Sequence, residues 1–141
     1  MPTAGDVKFV NVYNNGSALT AYKPYNLVPG WITAIGVIYV PIAAGTNTAV
    51  TNLIGVPQTA LAASTYGLIQ VCGLVPICAT TGTVTANDKL QIINGGVGLI
   101  REGSGADGLT IMSTDVCGVA VANVDTNQWQ VYLIGDRCSI A

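Results

Sequence analysis

Histidine is absent from this sequence, and charge of either sign is scarce. Only 9% of the residues are charged, five Lys and Arg against seven Asp and Glu, for a net charge of -2; ordinary soluble domains carry about 25%. Without an imidazole neither a Ser-His-Asp nor a Cys-His nucleophile can be assembled, and His-ligated zinc or iron sites are excluded. The cations Lys8, Lys23, Lys89, Arg101 and Arg137 are spread along the whole chain. They cannot form the basic stripe that phosphate neutralisation requires, so no nucleic-acid partner is expected.

A membrane-spanning run is missing as well. No charge occurs between Lys23 and Asp88, but the most apolar part of that stretch, residues 32–44, contains Gly36 and Pro41 and falls short of the roughly 20 apolar residues a spanning helix needs. The first eight residues, MPTAGDVK, hold neither a basic n-region nor an apolar h-region. Synthesis in a cytosol without export by that route, and no membrane partner, are expected. Cysteine occurs four times, at Cys72, Cys78, Cys117 and Cys138. A four-thiolate zinc site wants its cysteines in pairs about two to four residues apart, whereas Cys72 and Cys78 are separated by five residues and the other two are scattered. No metal or cofactor is expected. The cysteines read as small buried hydrophobes, or as disulfide partners if the protein meets an oxidising environment.

What the chain does have is apolar, β-forming sequence. Its 141 residues are 50% hydrophobic with a mean hydropathy of +0.53. That is one domain's worth of protein, too apolar for disorder and long enough to bury about two thirds of its unfolded surface. Val, Ile and Thr dominate, 17 Gly and 6 Pro punctuate, and no long stretch repeats at helical spacing. Strands are predicted over residues 7–13, 31–40, 53–56, 66–74, 89–93, 97–101, 109–113, 116–124 and 129–134, with a two-turn helix or a loop over 58–64. Tight hairpins are predicted at Asn14-Asn15-Gly16-Ser17 and Asn94-Gly95-Gly96, and self-capping polar turns at residues 85–89 and 125–127. The fold class that follows is all-β: a small β-sandwich or barrel of short antiparallel strands. Residues 1–29 are expected as an N-terminal arm or edge strand, and residues 30–141 as the β-rich domain. A short internal echo, Ile54-Gly55-Val56 before Ile69-Gln70-Val71 and Cys117-Gly118-Val119 before Trp129-Gln130-Val131, suggests two related hairpins.

Several constellations have chemical letters but not chemical context. Residues 103–108, Gly-Ser-Gly-Ala-Asp-Gly, match a dinucleotide fingerprint, yet a strand-like Leu-Thr-Ile-Met follows where a helix N-terminus is needed. Asp88-Lys89, Arg101-Glu102 and Asp136-Arg137 are adjacent opposite charges, which point to opposite faces of a strand. Asp107, Asp115 and Asp125 lack the regular spacing of a calcium loop. Asn15-Gly16-Ser17 spells a glycosylation sequon without a secretory signal. Trp31 and Trp129 read as core or interface anchors before they read as ligand platforms. No catalytic, cofactor-binding or metal residue is expected, and so no enzyme. Low charge with abundant Thr, Ala, Asn and Gly suits a surface covered by copies of the chain or by a partner.

The run Tyr66-Gly67-Leu68-Ile69-Gln70-Val71-Cys72-Gly73 is followed by Gly82-Thr83-Val84-Thr85-Ala86-Asn87-Asp88-Lys89-Leu90, then Cys117-Gly118-Val119-Ala120-Val121-Ala122 and Gln130-Val131-Tyr132-Leu133-Ile134. In this order, over about residues 50–135, these phrases resemble those of capsid decoration (cement) proteins of tailed bacteriophages. The resemblance implies a β-rich, homotrimeric virion protein on the outer surface of the capsid, with the major capsid protein and copies of itself as partners. It implies stabilisation of the capsid lattice rather than catalysis. A head-fibre base or tail-tip module would share the same composition, and a carbohydrate-binding β domain would need Trp31 or Trp129 exposed.

Overall fold

The computed structural model describes residues 7–41, 53–92, 98–101 and 116–134. Among them are nine strands: β1 (Lys8–Tyr13), β2 (Tyr25–Thr33), β3 (Gly36–Pro41), β4 (Leu53–Gly55), β5 (Tyr66–Ala79), β6 (Lys89–Ile92), β7 (Leu99–Arg101), β8 (Val116–Asp125) and β9 (Gln128–Leu133). They form one curled mixed sheet in the order β4-β2-β3-β1-β5-β9-β8-β6-β7. The all-β expectation holds, with one departure from antiparallel pairing: β1 and β3 run parallel, Asn11 opposite Ile38. Among the described residues no helix is long and apolar enough to cross a membrane. The stretch around residues 58–64 is a loop, tied to the one after β1 by a bridge between Leu19 and Leu61.

β5 organises the sheet. Its first half pairs with β1, from Tyr13 opposite Tyr66 to Lys8 opposite Cys72, and its second half with β9, from Gly73 opposite Leu133 to Ala79 opposite Gln128. The hand-over falls at Gly73, whose φ of 90° is open to glycine and strained for other residues. The buried Gln70 side chain spans this bend, donating from Nε2 to the carbonyls of Cys72 (3.1 Å) and Leu74 (2.9 Å). It thereby supplies donors on both sides of the turn in the strand.

Both edges of the sheet curl back toward β5. Beyond β4, Val56 bridges Gln70, its amide donating to the Gln70 carbonyl at 3.0 Å. At the far edge Leu99 of β7 bridges Thr80, and the Thr81 amide donates to the Leu99 carbonyl at 2.8 Å. Each closure is approached through a glycine. A Cβ on Gly55 would lie 2.6 Å from Ile69 Cγ2, and one on Gly98 would lie 2.8 Å from the Ala79 and Thr80 backbone. The buried side chains form two cores, and Ile54 and Val56 at the β4 edge belong to the second. Val12, Leu19, Leu27, Tyr39, Leu53, Ile69 and Val71 fill the first, and Val75, Cys78, Leu90, Leu99, Cys117, Ala120, Val131 and Leu133 are among those filling the second. Each such fully buried aliphatic side chain contributes about 1.5–3 kcal/mol.

Several elements differ from the sequence reading for identifiable reasons. The predicted strand over 31–40 is a hairpin, β2 to β3, turned at residues 34–35. There Thr33 Oγ1 donates to the Gly36 carbonyl and accepts from the Ile35 amide. Pro29 and Pro76 do not end their strands, because each sits at a register shift where a ladder hydrogen bond is already lost. Asn14–Ser17 is not a tight hairpin: Asn14 is fully buried and donates to the Ser17 and Leu61 carbonyls. Of the segment expected as an arm or edge strand, residues 1–6 lie outside the described residues, while β1 is an interior strand between β3 and β5 and β2 runs through position 29. The polar turns are as expected. Asp88 Oδ2 accepts from the Thr85 amide, Asp125 Oδ1 accepts from the Thr126 amide, and Asn87 and Asn127 take positive φ. The echo is half realised, as β8 and β9 pair along their length while the Ile54 segment meets β5 through one bridge.

Cys72, Cys78 and Cys117 are all buried, and Cys138 lies outside the described residues. Cys72 is disulfide-bonded, whereas Cys78 and Cys117 are thiols sharing the second core. Burial, with the neighbouring Cys117 adding to it, pushes the Cys78 thiol far above its ordinary value of 9.0.

Gln70→Met keeps the side-chain length but removes both donors, and is expected to lower stability by about 2–3 kcal/mol. Gly73→Ala is expected to cost about 1–3 kcal/mol through its positive φ. Gly16→Ala, in open space, should stay within about 0.5 kcal/mol of wild type; urea denaturation midpoints measure all three. Above pH 9 the unfolded chain loses the Cys78 proton that the folded chain keeps, so this thiol's contribution to stability falls as pH rises. Denaturation midpoints between pH 8 and pH 10 should therefore fall more steeply for wild type than for Cys78→Ala.

Candidate docking surface

The strand pairs around β1 give the first half of the sheet two apolar faces. On β1, Val10 and Val12 turn toward the first core while Phe9, Asn11 and Tyr13 turn away. On β5, Ile69 and Val71 turn in while Tyr66 and Leu68 turn out. Register aligns the outward residues: Tyr66 lies opposite Tyr13, and Leu68 opposite Asn11, then Ile38, then Trp31. The Tyr13 ring stands edge-on to Trp31 at 5.7 Å and tilts against Tyr66 at 4.8 Å. β3 separates β1 from β2, a spacing of about 9.6 Å between their backbones, so the Tyr13 and Trp31 rings lean together over β3. That explains why Ile38 is buried although it belongs to neither core.

Around this aromatic trio the surface is aliphatic. Phe9, Trp31, Tyr66 and Leu68 on this face are each between 42% and 65% exposed, while Ile32, which follows Trp31 in β2 and turns to the other face with its partner Val37, and Ile35 within the β2–β3 turn reach 81% and 79%. No charged side chain lies among them. A shallow groove of about 340 Å³ opens between β1 and β3, lined by Lys8, Phe9, Val10, Asn11, Val37, Tyr39 and Val71, four of which, Val10, Val37, Tyr39 and Val71, belong to or pack against the first core. The groove exists because the parallel ladder joins β1 to β3 only at Asn11 and Val12, leaving residues 8–10 without a partner strand on that side.

A second concavity, of about 550 Å³, lies along the loop after β1. Its polar groups are engaged within the chain: the Asn14 amide holds backbone carbonyls, Tyr25 Oη accepts from the Thr20 amide at 2.7 Å, and Lys23 Nζ stands 5.2 Å over the Tyr25 ring. Residues 103–108, Asp107, Asp115, Glu102, Asp136 and Arg137 lie outside the described residues. Of the two tryptophans, Trp129 is a core anchor, packed against the second core, while Trp31 is at the surface. Sequence reasoning missed this face because it split no hairpin within residues 31–40; once that run is split, Trp31 and Ile32 lie near the end of one strand and Ile35 in the turn.

No family model matches the chain, and no curated protein matches it. Among solved structures it is similar to the head fiber gp8.5 N base of bacteriophage phi29, with a TM-score of 0.55 at 12% identity, over 92% of this chain and 95% of that one. The likeness is one of fold, running nearly end to end in both chains.

Proposed function

We propose that this chain is a structural protein of a bacteriophage virion. It sits on the outer surface of the capsid and binds the major capsid protein lattice as a decoration protein, associating with copies of itself. The observation that carries this reading is the end-to-end fold likeness to a phage head fiber base. The phrases over residues 50–135 support it independently. A second reading, the base of a head fibre, is favoured by the identity of that neighbour and differs in carrying a distal fibre rather than reinforcing the shell.

The role is mechanical, not enzymatic. Contacts made only with the mature lattice stabilise it by linkage, about 2.7 kcal/mol per site at a hundred times the dissociation constant, and self-association multiplies the effect by avidity. An apolar, uncharged face fits protein docking better than glycan binding. On this face Phe9 and Leu68 offer no side-chain hydrogen bonds to sugar hydroxyls, which leaves Asn11, the Tyr13 and Tyr66 hydroxyls and the Trp31 indole as its few polar groups.

The test uses phage heads assembled without this chain, from the genome that encodes it, incubated with the purified protein. Cryo-electron microscopy is expected to show saturable, symmetry-related density on the shell exterior, and the decorated heads should withstand several degrees more heat than bare ones. Density that anchors a fibre, with no gain in shell stability, would favour the fibre base. Failure to bind heads would contradict both readings.

A further inference from the structure

We propose that Asn15 is a site of spontaneous modification, where attack by the Gly16 nitrogen converts the side-chain amide to a carboxylate. This inference stands apart from the capsid and from self-association. The reaction needs an asparagine whose side chain is free to move, followed by a residue with no Cβ to crowd the attacking nitrogen. Among the described asparagines Asn15 alone precedes glycine. Asn15 and Gly16 are both exposed, and the Asn15 side chain makes no hydrogen bond among the described residues. A Cβ on Gly16 would meet nothing within 4 Å, so the loop has room to rearrange.

The chemistry balances without an oxidant or a reductant. The Gly16 nitrogen gives its proton to water or hydroxide and bonds to Asn15 Cγ; the Cγ–Nδ2 bond breaks and ammonia leaves, closing a five-membered succinimide. One water then opens the ring. Opening at Cγ leaves aspartate, and opening at the main-chain carbonyl leaves isoaspartate, with the backbone lengthened by one carbon. Either product adds a negative charge to a chain whose net charge is -2. That charge falls in the concavity after β1, whose described lining has Lys23 as its one charged residue.

The fold sets the pace. Gly16 donates its N–H to Asn14 Oδ1 at 3.1 Å. The fully buried Asn14 is itself anchored, its Nδ2 donating to the carbonyls of Ser17 (2.9 Å) and Leu61 (3.0 Å) while its backbone bonds Ser64 and Thr65. Attack requires the Gly16 N–H to leave this bracket, so only the locally opened loop reacts.

Incubation of the purified full chain at mildly alkaline pH, followed by peptide mapping against an unincubated control, provides the test. Chymotryptic cleavage after Tyr13 and Tyr22 isolates residues 14–22 from the other Asn-Gly pair at Asn94, and fragment ions separate Asn15 from Asn14. The native chain is expected to show the mass gain of an amide-to-acid exchange at Asn15, faster as pH rises but slower than in the same chain unfolded in guanidinium chloride. Gly16→Ala, whose methyl group crowds the attacking nitrogen, should slow the native reaction roughly tenfold, a barrier change of about 1.4 kcal/mol. Asn15 left intact in the native chain over the time in which the unfolded chain converts it, or Asn14 converting first, would overturn the site. Equal native and unfolded rates would overturn the control by Asn14.

Discussion

The structure depends on one strand being allowed to bend. β5 pairs with β1 before Gly73 and with β9 after it, and a straight strand could not present its two halves to two differently curled sheets. Glycine permits the backbone conformation at the bend, but a bend also interrupts the regular placement of backbone groups. Gln70 answers that need from within the same strand, its amide reaching the carbonyls of Cys72 and Leu74. A buried polar side chain in an apolar core is stabilising only when it is so engaged.

From that bend the rest of the architecture follows. Because each half of β5 serves its own group of strands, each group curls and returns to β5, at Gln70 on one side and at Thr80 on the other. Returning both edges reduces the open hydrogen-bonding edge that isolated sheets must otherwise protect. The same geometry leaves β1 and β3 joined over only two residue pairs. The shallow groove and the projecting hairpin are thus consequences of how the first curl is made. Scarce charge overall and an uncharged face both fit the proposal that this surface is covered.

Much of this was legible in the sequence. Recurrent Val in residues 7–13 and 116–124, Asn87 and Asp88 in one turn, and Asp125 to Asn127 in another gave strands and turns that the structure reproduces closely. Two kinds of feature were not legible. The turn at Ala34-Ile35 is apolar, and its cap is a single threonine hydroxyl, so a run of hydrophobes concealed a hairpin. Proline at Pro29 and Pro76 reads locally as a strand breaker, and only the pairing pattern shows that each occupies a bulge. The role of β1 was hidden for a similar reason: nothing local distinguishes an edge strand from one hydrogen-bonded on both sides. The docking face was half visible, since Trp31 was recognised as a possible anchor but its partners Tyr13 and Tyr66 come together only through register.

The central claim is that the uncharged face around Trp31 and Tyr66 is covered in the protein's working state. Hydroxyl-radical footprinting, read residue by residue by mass spectrometry, tests it most directly when the chain is compared dilute and concentrated. Trp31, Tyr66, Phe9 and Leu68 are predicted to lose most of their labelling on concentration, while Val124, exposed on β8, keeps its own. Equal labelling of Trp31 and Tyr66 at both concentrations would contradict the account.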